Sequence, residues 1–431
     1  MHYKFLLGLV FLMLVFPGEL ISQEESYEFE SADPQVLFGL GFNQKEATQL
    51  TDRIYYAVGF GYTYMVTTPE GNVIIDTSMP FNAPRHKNLL SAVNGNPVKY
   101  IILTHGHLDH RGGVPVWKTP ENQVVAHENF VEFRQYQGRL ATFLSRRGNA
   151  QFGLSLPYRK ASGNYGETIE ADILVKDSMV LELGDLTFHV LHTPGETPDH
   201  ISVWIPELRA AFVGDNFYAS FPNMYTLRGT KPRWALEYVE SLQKILELAP
   251  EVLIPSHGPI IEGKDAIEKA IKQYQEAILY VHDETVKGMN EGKSVQDLMN
   301  QIALPDHLNI GSGYGSISWT VRGIYEGYAG WFDGDAKNMY GIKDSDIYDD
   351  VVDLIGNNDK IVAKASVLFE QKEYLKSIQM TDLILNSNPD EPAALNVRLK
   401  AFERLLESAN NANEVGWLRH EIGKIKEQLN H

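Results

Sequence analysis

The chain has no cysteine among its 431 residues. That absence excludes disulfides and thiolate metal ligands, so any bound metal is held by histidine and carboxylate side chains. Basic residues are short in number, 38 Lys and Arg against 56 Asp and Glu, for a formal net charge of −18. This balance argues against nucleic acid as a partner, although an acidic shell still allows a cationic pocket. Apolar runs are short as well. The longest, Phe5 to Phe16, falls below the roughly 20 residues of a membrane span. It lies between the basic start Met1-His2-Tyr3-Lys4 and the exit Pro17-Gly18. That pattern predicts a signal peptide over residues 1–22, cleavage near Ser22, and an exported periplasmic or secreted protein with no stable membrane anchor after cleavage. The polar residues 23–49 are expected to form an N-terminal arm.

Histidine, by contrast, is concentrated. Thr104-His105-Gly106-His107-Leu108-Asp109-His110-Arg111-Gly112-Gly113 places three histidines and an aspartate within six residues, directly after the apolar run Val98 to Leu103. That run predicts a buried strand with the cluster on the loop at its C-terminal end. Residues two apart in an extended segment point the same way. His105 and His107 are therefore expected to reach one metal ion, and Asp109 with His110 to turn towards a second.

Around this loop the pattern is β-rich. Ile54 to Val58, Tyr62 to Val66 and Val73 to Thr77 read as a meander with a turn at Pro69-Glu70-Gly71-Asn72. Residues 84–94 and 234–248 read as helices, as does Glu128 to Leu144. The segment from Ser145 to Ile173, rich in Gly, Ser, Asn and Pro, is expected to be a long loop with a functional role. Further strands are read at 179–183, 186–190, 201–205, 210–213 and 252–254. Together these elements predict a β sandwich with helices on its outer faces. After Gly263 the pattern becomes all-α, and residues 361–431 suggest TPR-like helix pairs.

Three later loops, each after an apolar strand, complete a ligand set: His192-Thr193-Pro194-Gly195-Glu196-Thr197-Pro198-Asp199-His200, Phe212-Val213-Gly214-Asp215-Asn216 and Ile254-Pro255-Ser256-His257-Gly258. With the HxHxDH loop, their order over residues 50–262 resembles the metallo-β-lactamase superfamily, whose αββα sandwich binds metal at one sheet edge. In most of that superfamily a histidine follows Thr-Pro-Gly. Here the residue is Glu196, and Asp215 stands nineteen positions on, which resembles the alkylsulfatase branch. Asn223-Met224-Tyr225-Thr226-Leu227-Arg228-Gly229 is similar to the sulfate-binding segment of that branch, and Arg146-Arg147-Gly148-Asn149 through Leu156-Pro157 to its active-site insertion. Gly313-Tyr314-Gly315-Ser316, with Arg322 to Gly334, resembles its dimerisation domain.

The resemblance implies an α+β chain with a catalytic domain over residues 50–262 and an all-α dimerisation domain over residues 263–431. It implies two Zn²⁺ ions per chain, with Mn²⁺ or Fe²⁺ as alternatives. His105, His107 and Glu196 would hold one, Asp109, His110 and His257 the other, and Asp215 would bridge them or lean towards the second. The alternative third ligand is His200. His127, His189 and His192 read as structural, and Asp76 as orienting a liganding histidine. Three carboxylates and a hydroxide nearly neutralise two Zn²⁺ ions, so an anionic ester needs a cation outside the cluster. Arg228 fits that need with its bidentate fork, and Asn223 and Tyr314 add hydrogen bonds by resemblance. Metal-bound water, its pKa lowered to about 7, would be the nucleophile, with Asp109 helping to orient it. Phe152, Leu154 and Leu156 are candidates for an apolar wall. The expected protein is a homodimeric hydrolase of alkyl sulfate monoesters. The alternatives are another hydrolase of this fold, acting on a lactam, thioester or phosphoester, or an interaction protein whose helical part does the work.

Overall fold

The structure, a computed structural model, describes residues 39–153 and 169–430. The expectations for the signal peptide, for most of the arm and for Leu154 and Leu156 lie outside these residues.

Short β-branched and aromatic runs build the first sheet. β1 (Thr48–Gln49), β2 (Ile54–Ala57), β3 (Thr63–Thr68) and β4 (Gly71–Ile75) form an antiparallel meander. Helix α1 (Ala83–Val93) crosses to β5 (Val98–Ile102), which runs parallel to β4, as a helical crossover permits. The one-turn helices α2 (Leu108–Arg111) and α3 (Val114–Trp117) precede β6 (Gln123–His127). Helices α4 (Asn129–Arg139) and α5 (Ala141–Gln151) then lead towards β7 (Ile173–Val175), with β6 and β7 continuing the parallel run.

The second sheet begins with the antiparallel strands β8 (Ser178–Leu183), β9 (Leu186–His192), β10 (Ile201–Ile205) and β11 (Ala210–Gly214). Helix α6 (Ala235–Glu247) crosses to β12 (Val252–Pro255), parallel to β11, and β13 (Ile261–Glu262) closes the edge. The strand orders are β1-β2-β3-β4-β5-β6-β7 and β13-β12-β11-β10-β9-β8.

Period-two alternation decides which side chains meet between the sheets. Tyr64, Val66, Val73 and Ile75 point inward and pack against Phe188, Val203, Phe212 and Ile254 of the other sheet. Their neighbours Met65 and Ile74 point outward, onto Leu90 and Trp117 under the helices. Ala211 and Val213 likewise face Tyr238, Leu242 and Ile245 of α6. The result is the expected αββα sandwich.

Helix α7 (Lys264–Asn290) buries Ile267, Ala270, Ile271, Tyr274, Ile278 and Val281, a stripe at helical spacing that joins the outer core over α6. After α8 (Val295–Gln301) and α9 (Ile317–Ala329), α10 (Tyr348–Ile355) leads into four helices that each pack on the next: α11 (Asn358–Glu370), α12 (Tyr374–Leu385), α13 (Pro392–Ser408) and α14 (Ala412–Leu429). Among the described residues no helix is long and apolar enough to cross a membrane.

Two local readings differ from expectation. Glu128 to Leu144 is not one helix: α4 and α5 meet at Leu140, whose φ of −103° and ψ of 16° break the α geometry. The segment expected to be irregular from Ser145 is helical as far as Gln151. Its helical state comes from tertiary packing, since α14 lies against α5. The approach is close. A Cβ on Gly416 of α14 would stand 1.9 Å from the Gln151 carbonyl oxygen. Gly416→Ala is therefore expected to destabilise the docked C-terminal helix by about 1–3 kcal/mol. Denaturant melts followed by Trp417 fluorescence check this, and an unchanged midpoint would exclude the close packing.

Candidate metal centre

The four expected loops come together at one edge of the sandwich, above the C-terminal ends of β5, β9, β11 and β12. Asp76, just past β4, ties two of them together, the loop of His105 to His110 and the loop of Ser256 and His257. It is fully buried with φ 56°, a conformation few non-glycine residues adopt. Its Oδ1 accepts from the Thr104 backbone N–H at 2.8 Å. Its Oδ2 accepts from Thr104 Oγ1 at 2.8 Å and Ser256 Oγ at 2.9 Å, and faces His110 Nδ1 at 2.8 Å. This last contact fixes the His110 ring and turns Nε2 towards the cluster.

Donor atoms of Asp109, His110, Asp215 and His257 lie within 4.8 Å of one another, as do those of His105, His107 and Asp215. Asp215 thus belongs to both groups. His110 Nε2 lies 3.4 Å from Asp109 Oδ2 and 3.4 Å from Asp215 Oδ2. His257 Nε2 lies 3.3 Å from Asp109 Oδ2 and 3.4 Å from Asp215 Oδ1. In the other group His105 Nε2 and His107 Nδ1 are 2.8 Å apart. Glu196 reaches this side through Oε1, 3.6 Å from His107 Nδ1, and its backbone N–H donates to Asn216 Oδ1 at 3.0 Å. His110 Nε2 and Asp215 Oδ1 are buried without a hydrogen-bond partner among the described residues. Orphaned, converging His and carboxylate donors fit a divalent cation.

The charges agree with that fit. Burial holds His105 and His107 well below the usual imidazole range, and Arg228 and Arg233 add to the effect at His107. Both rings are neutral donors. Burial pushes the Asp109 and Asp215 carboxyls up, but His110 and His257 outweigh it and hold both well below the usual range. Burial lowers the two histidines in turn, but the same acids outweigh it, raising His110 well above its ordinary value and His257 to about 9.

Arg228 stands beside this cluster, its Nη2 3.3 Å from His107 Nε2. Its loop is held by Gln151 Oε1, which accepts from Arg228 N at 2.7 Å and Thr226 Oγ1 at 3.1 Å. The Asn223 side chain is buried with neither amide atom hydrogen-bonded among the described residues. Tyr314 sits close enough to sense Arg228, Glu196, Asp109 and Arg233, and burial raises its hydroxyl above the usual range, so it stays a donor. Asn411, the N-cap of α14, donates Nδ2 to the Ser312, Tyr314 and Gly315 carbonyls at 2.7, 2.9 and 3.1 Å. Phe60 packs edge-on to His257 at 6.1 Å and to Phe152 at 5.9 Å, an apolar side to the site.

His200 is in neither donor group. It stacks on His105 with centroids 5.3 Å apart and faces Thr193 Oγ1 through Nδ1. His127 and His192 stack on each other at 3.8 Å, and each faces a backbone carbonyl. Sequence reading missed Arg233, Asn216, Gln151 and Asn411. Only Asn216, adjacent to Asp215, carried a positional signal.

Two family models match the chain: the metallo-beta-lactamase superfamily over residues 56–257 and alkyl sulfatase dimerisation over residues 294–426. A linear primary-alkylsulfatase of a Pseudomonas strain is 28% identical over 379 residues, covering 82% of this chain and 72% of that protein. An alkyl/aryl-sulfatase of Saccharomyces cerevisiae is 25% identical over 390 residues, with 83% and 60% covered. The solved structure of a stereoselective inverting sec-alkylsulfatase from Pseudomonas sp. superposes with a TM-score of 0.81 at 19% identity, covering 89% of this chain and 66% of that one, and shows a shared fold. The chain thus spans less than two thirds of the yeast relative and of the solved structure. Residues 56–257 thus form a metallo-beta-lactamase domain, in agreement with the fold, the ordered loops and the donor set. Residues 294–426 of the helical part match the domain described as alkyl sulfatase dimerisation, and the His/Asp cluster fits a divalent metal.

Because His110 and His257 carry protons in the metal-free chain, loading must displace them. Both pKa values are raised, so His257 holds its proton below about pH 9 and loses it above, His110 likewise holds its proton well above its ordinary range, and metal affinity falls as pH falls. Zinc titration calorimetry at pH 7, in buffers of different ionisation enthalpy, is expected to show proton release. A buffer-independent enthalpy would show that these two imidazoles carry no proton to displace.

Proposed function

We propose that the chain is a dinuclear metal-dependent hydrolase, with zinc as the metal, that cleaves alkyl sulfate monoesters to an alcohol and inorganic sulfate. The observation that carries this reading is the Arg228 guanidinium, 3.3 Å from His107 and so at the edge of the donor cluster. A planar fork there suits a tetrahedral oxyanion and has no use for an uncharged lactam. In this reading His105, His107 and Glu196 hold one ion, Asp109, His110 and His257 the other, and Asp215 both. When bound, the metals supply Lewis acidity and an activated water. Arg228 binds sulfate oxygens, the Asn223 amide and Tyr314 hydroxyl donate to them, and Asp109 helps to orient the attacking water. Phe60 and Phe152 border the alkyl group. The relatives named alkylsulfatases support the same substrate class.

The test is sulfate release from a medium-chain alkyl sulfate, beside nitrocefin and p-nitrophenyl phosphate, with metals counted in the same sample. The expected outcome is two ions per chain and turnover of the alkyl sulfate alone. Arg228→Ala should lower kcat/KM by about 10- to 100-fold, chiefly through KM. Turnover of the lactam or the phosphoester instead would overturn the substrate assignment.

The reading includes a homodimer. Trp331, Tyr340 and Leu354 are 77%, 83% and 88% exposed, with Tyr328, Met339, Ile342 and Ile347 also uncovered nearby in sequence. Such a concentration of exposed apolar side chains marks an interface. Sedimentation is expected to give a dimer for the parent and a monomer for Trp331→Asp/Tyr340→Asp/Leu354→Asp. A monomeric parent at micromolar concentration would sink this part. Export rests on the N-terminal pattern, and N-terminal sequencing of protein recovered outside the cytoplasm would begin near Gln23.

A further inference from the structure

Asp109 and Asp215 face histidines, but Glu196 faces a guanidinium. Arg233 Nη1 donates to Glu196 Oε2 and, at 2.6 Å, to the Asn223 carbonyl. Arg233 is only 7% exposed, and its Nε and Nη2 have no hydrogen-bond partner among the described residues. A charge buried with so few partners depends on the carboxylate opposite it.

A histidine at position 196 would offer one neutral lone pair. A carboxylate brings an extra negative charge and two oxygens, either or both able to take a cation. Arg233 occupies Oε2 and leaves Oε1 on the His107 side, 3.6 Å from Nδ1. Its charge offsets that of Glu196. We infer that Arg233 is a positioning residue that makes Glu196 a one-oxygen, charge-compensated ligand on the His105–His107 side, and ties it to the Asn223 segment. The inference rests on the metal-binding half of the proposed function and is independent of the ester.

The test is a metal titration of the full chain against a chromophoric chelator, with melts of the metal-free forms as a folding control. Arg233→Met is expected to keep one site at parental affinity and to weaken the other about 10- to 100-fold. Since that variant leaves Glu196 buried without its partner and can misfold, a second pair closes the cycle. Glu196→His/Arg233→Met is expected to bind both ions at least as tightly as Glu196→His, because a neutral imidazole needs no cation and the single variant leaves the Arg233 charge unpaired. The inference is overturned if Arg233→Met binds both ions as the parent does. A tenfold loss on adding Arg233→Met to Glu196→His would overturn it equally. A parent chain that binds no metal would instead remove the proposed function, and this inference with it.

Discussion

Three residues of two loops, Thr104, His110 and Ser256, converge on the buried carboxylate of Asp76. It takes hydrogen bonds from Thr104 at the end of β5 and Ser256 at the end of β12, and it orients His110 on α2. A buried carboxylate is tolerated only when its oxygens are satisfied, so these strand ends are held together as the condition for burying it. The left-handed backbone at Asp76 is a local strain that this network maintains. Without that junction the metal loop and the His257 loop would have no common frame.

Electrostatic balance is the second constraint. Three acids, Asp109, Glu196 and Asp215, are gathered with four histidines at one sheet edge, largely out of water. On one side the acids and histidines hold each other charged, on the other the histidines are neutral, and Glu196 takes its compensation from Arg233. The centre is therefore built as a set of paired charges. Binding an ion exchanges protons for metal at positions already arranged.

The helical third of the chain takes part in the site. Asn411 caps α14 and at the same time clamps the carbonyls around Tyr314. Gly416, one turn on, lets α14 lie against Gln151, whose side chain holds the backbone of Arg228. Docking of the last helix thus supports two of the candidate substrate residues, although Tyr314 lies 97 positions from Asn411 and Arg228 further still.

The αββα arrangement and the loops that carry His105, His107, Asp109, His110, Asp215 and His257 were legible in the sequence because each depends on local pattern, whereas Glu196 was picked out by resemblance. Alternating apolar residues specify strands, and a strand end followed by His, Asp or Glu specifies a ligand loop. Arg228 and Tyr314 were legible only through resemblance. Arg233 was not legible at all: in Lys231-Pro232-Arg233-Trp234 it reads as one more surface cation, and its partner Glu196 lies 37 positions away. Helix α5 was missed because its helicity comes from α14 packed against it, and no periodicity within the segment reports that contact. The sequence by itself determined which histidines and acids stand at strand ends and which strands deliver them, since both are properties of neighbouring residues. Tertiary structure alone decided which charge answers which, because compensation of a buried carboxylate depends on distance through space.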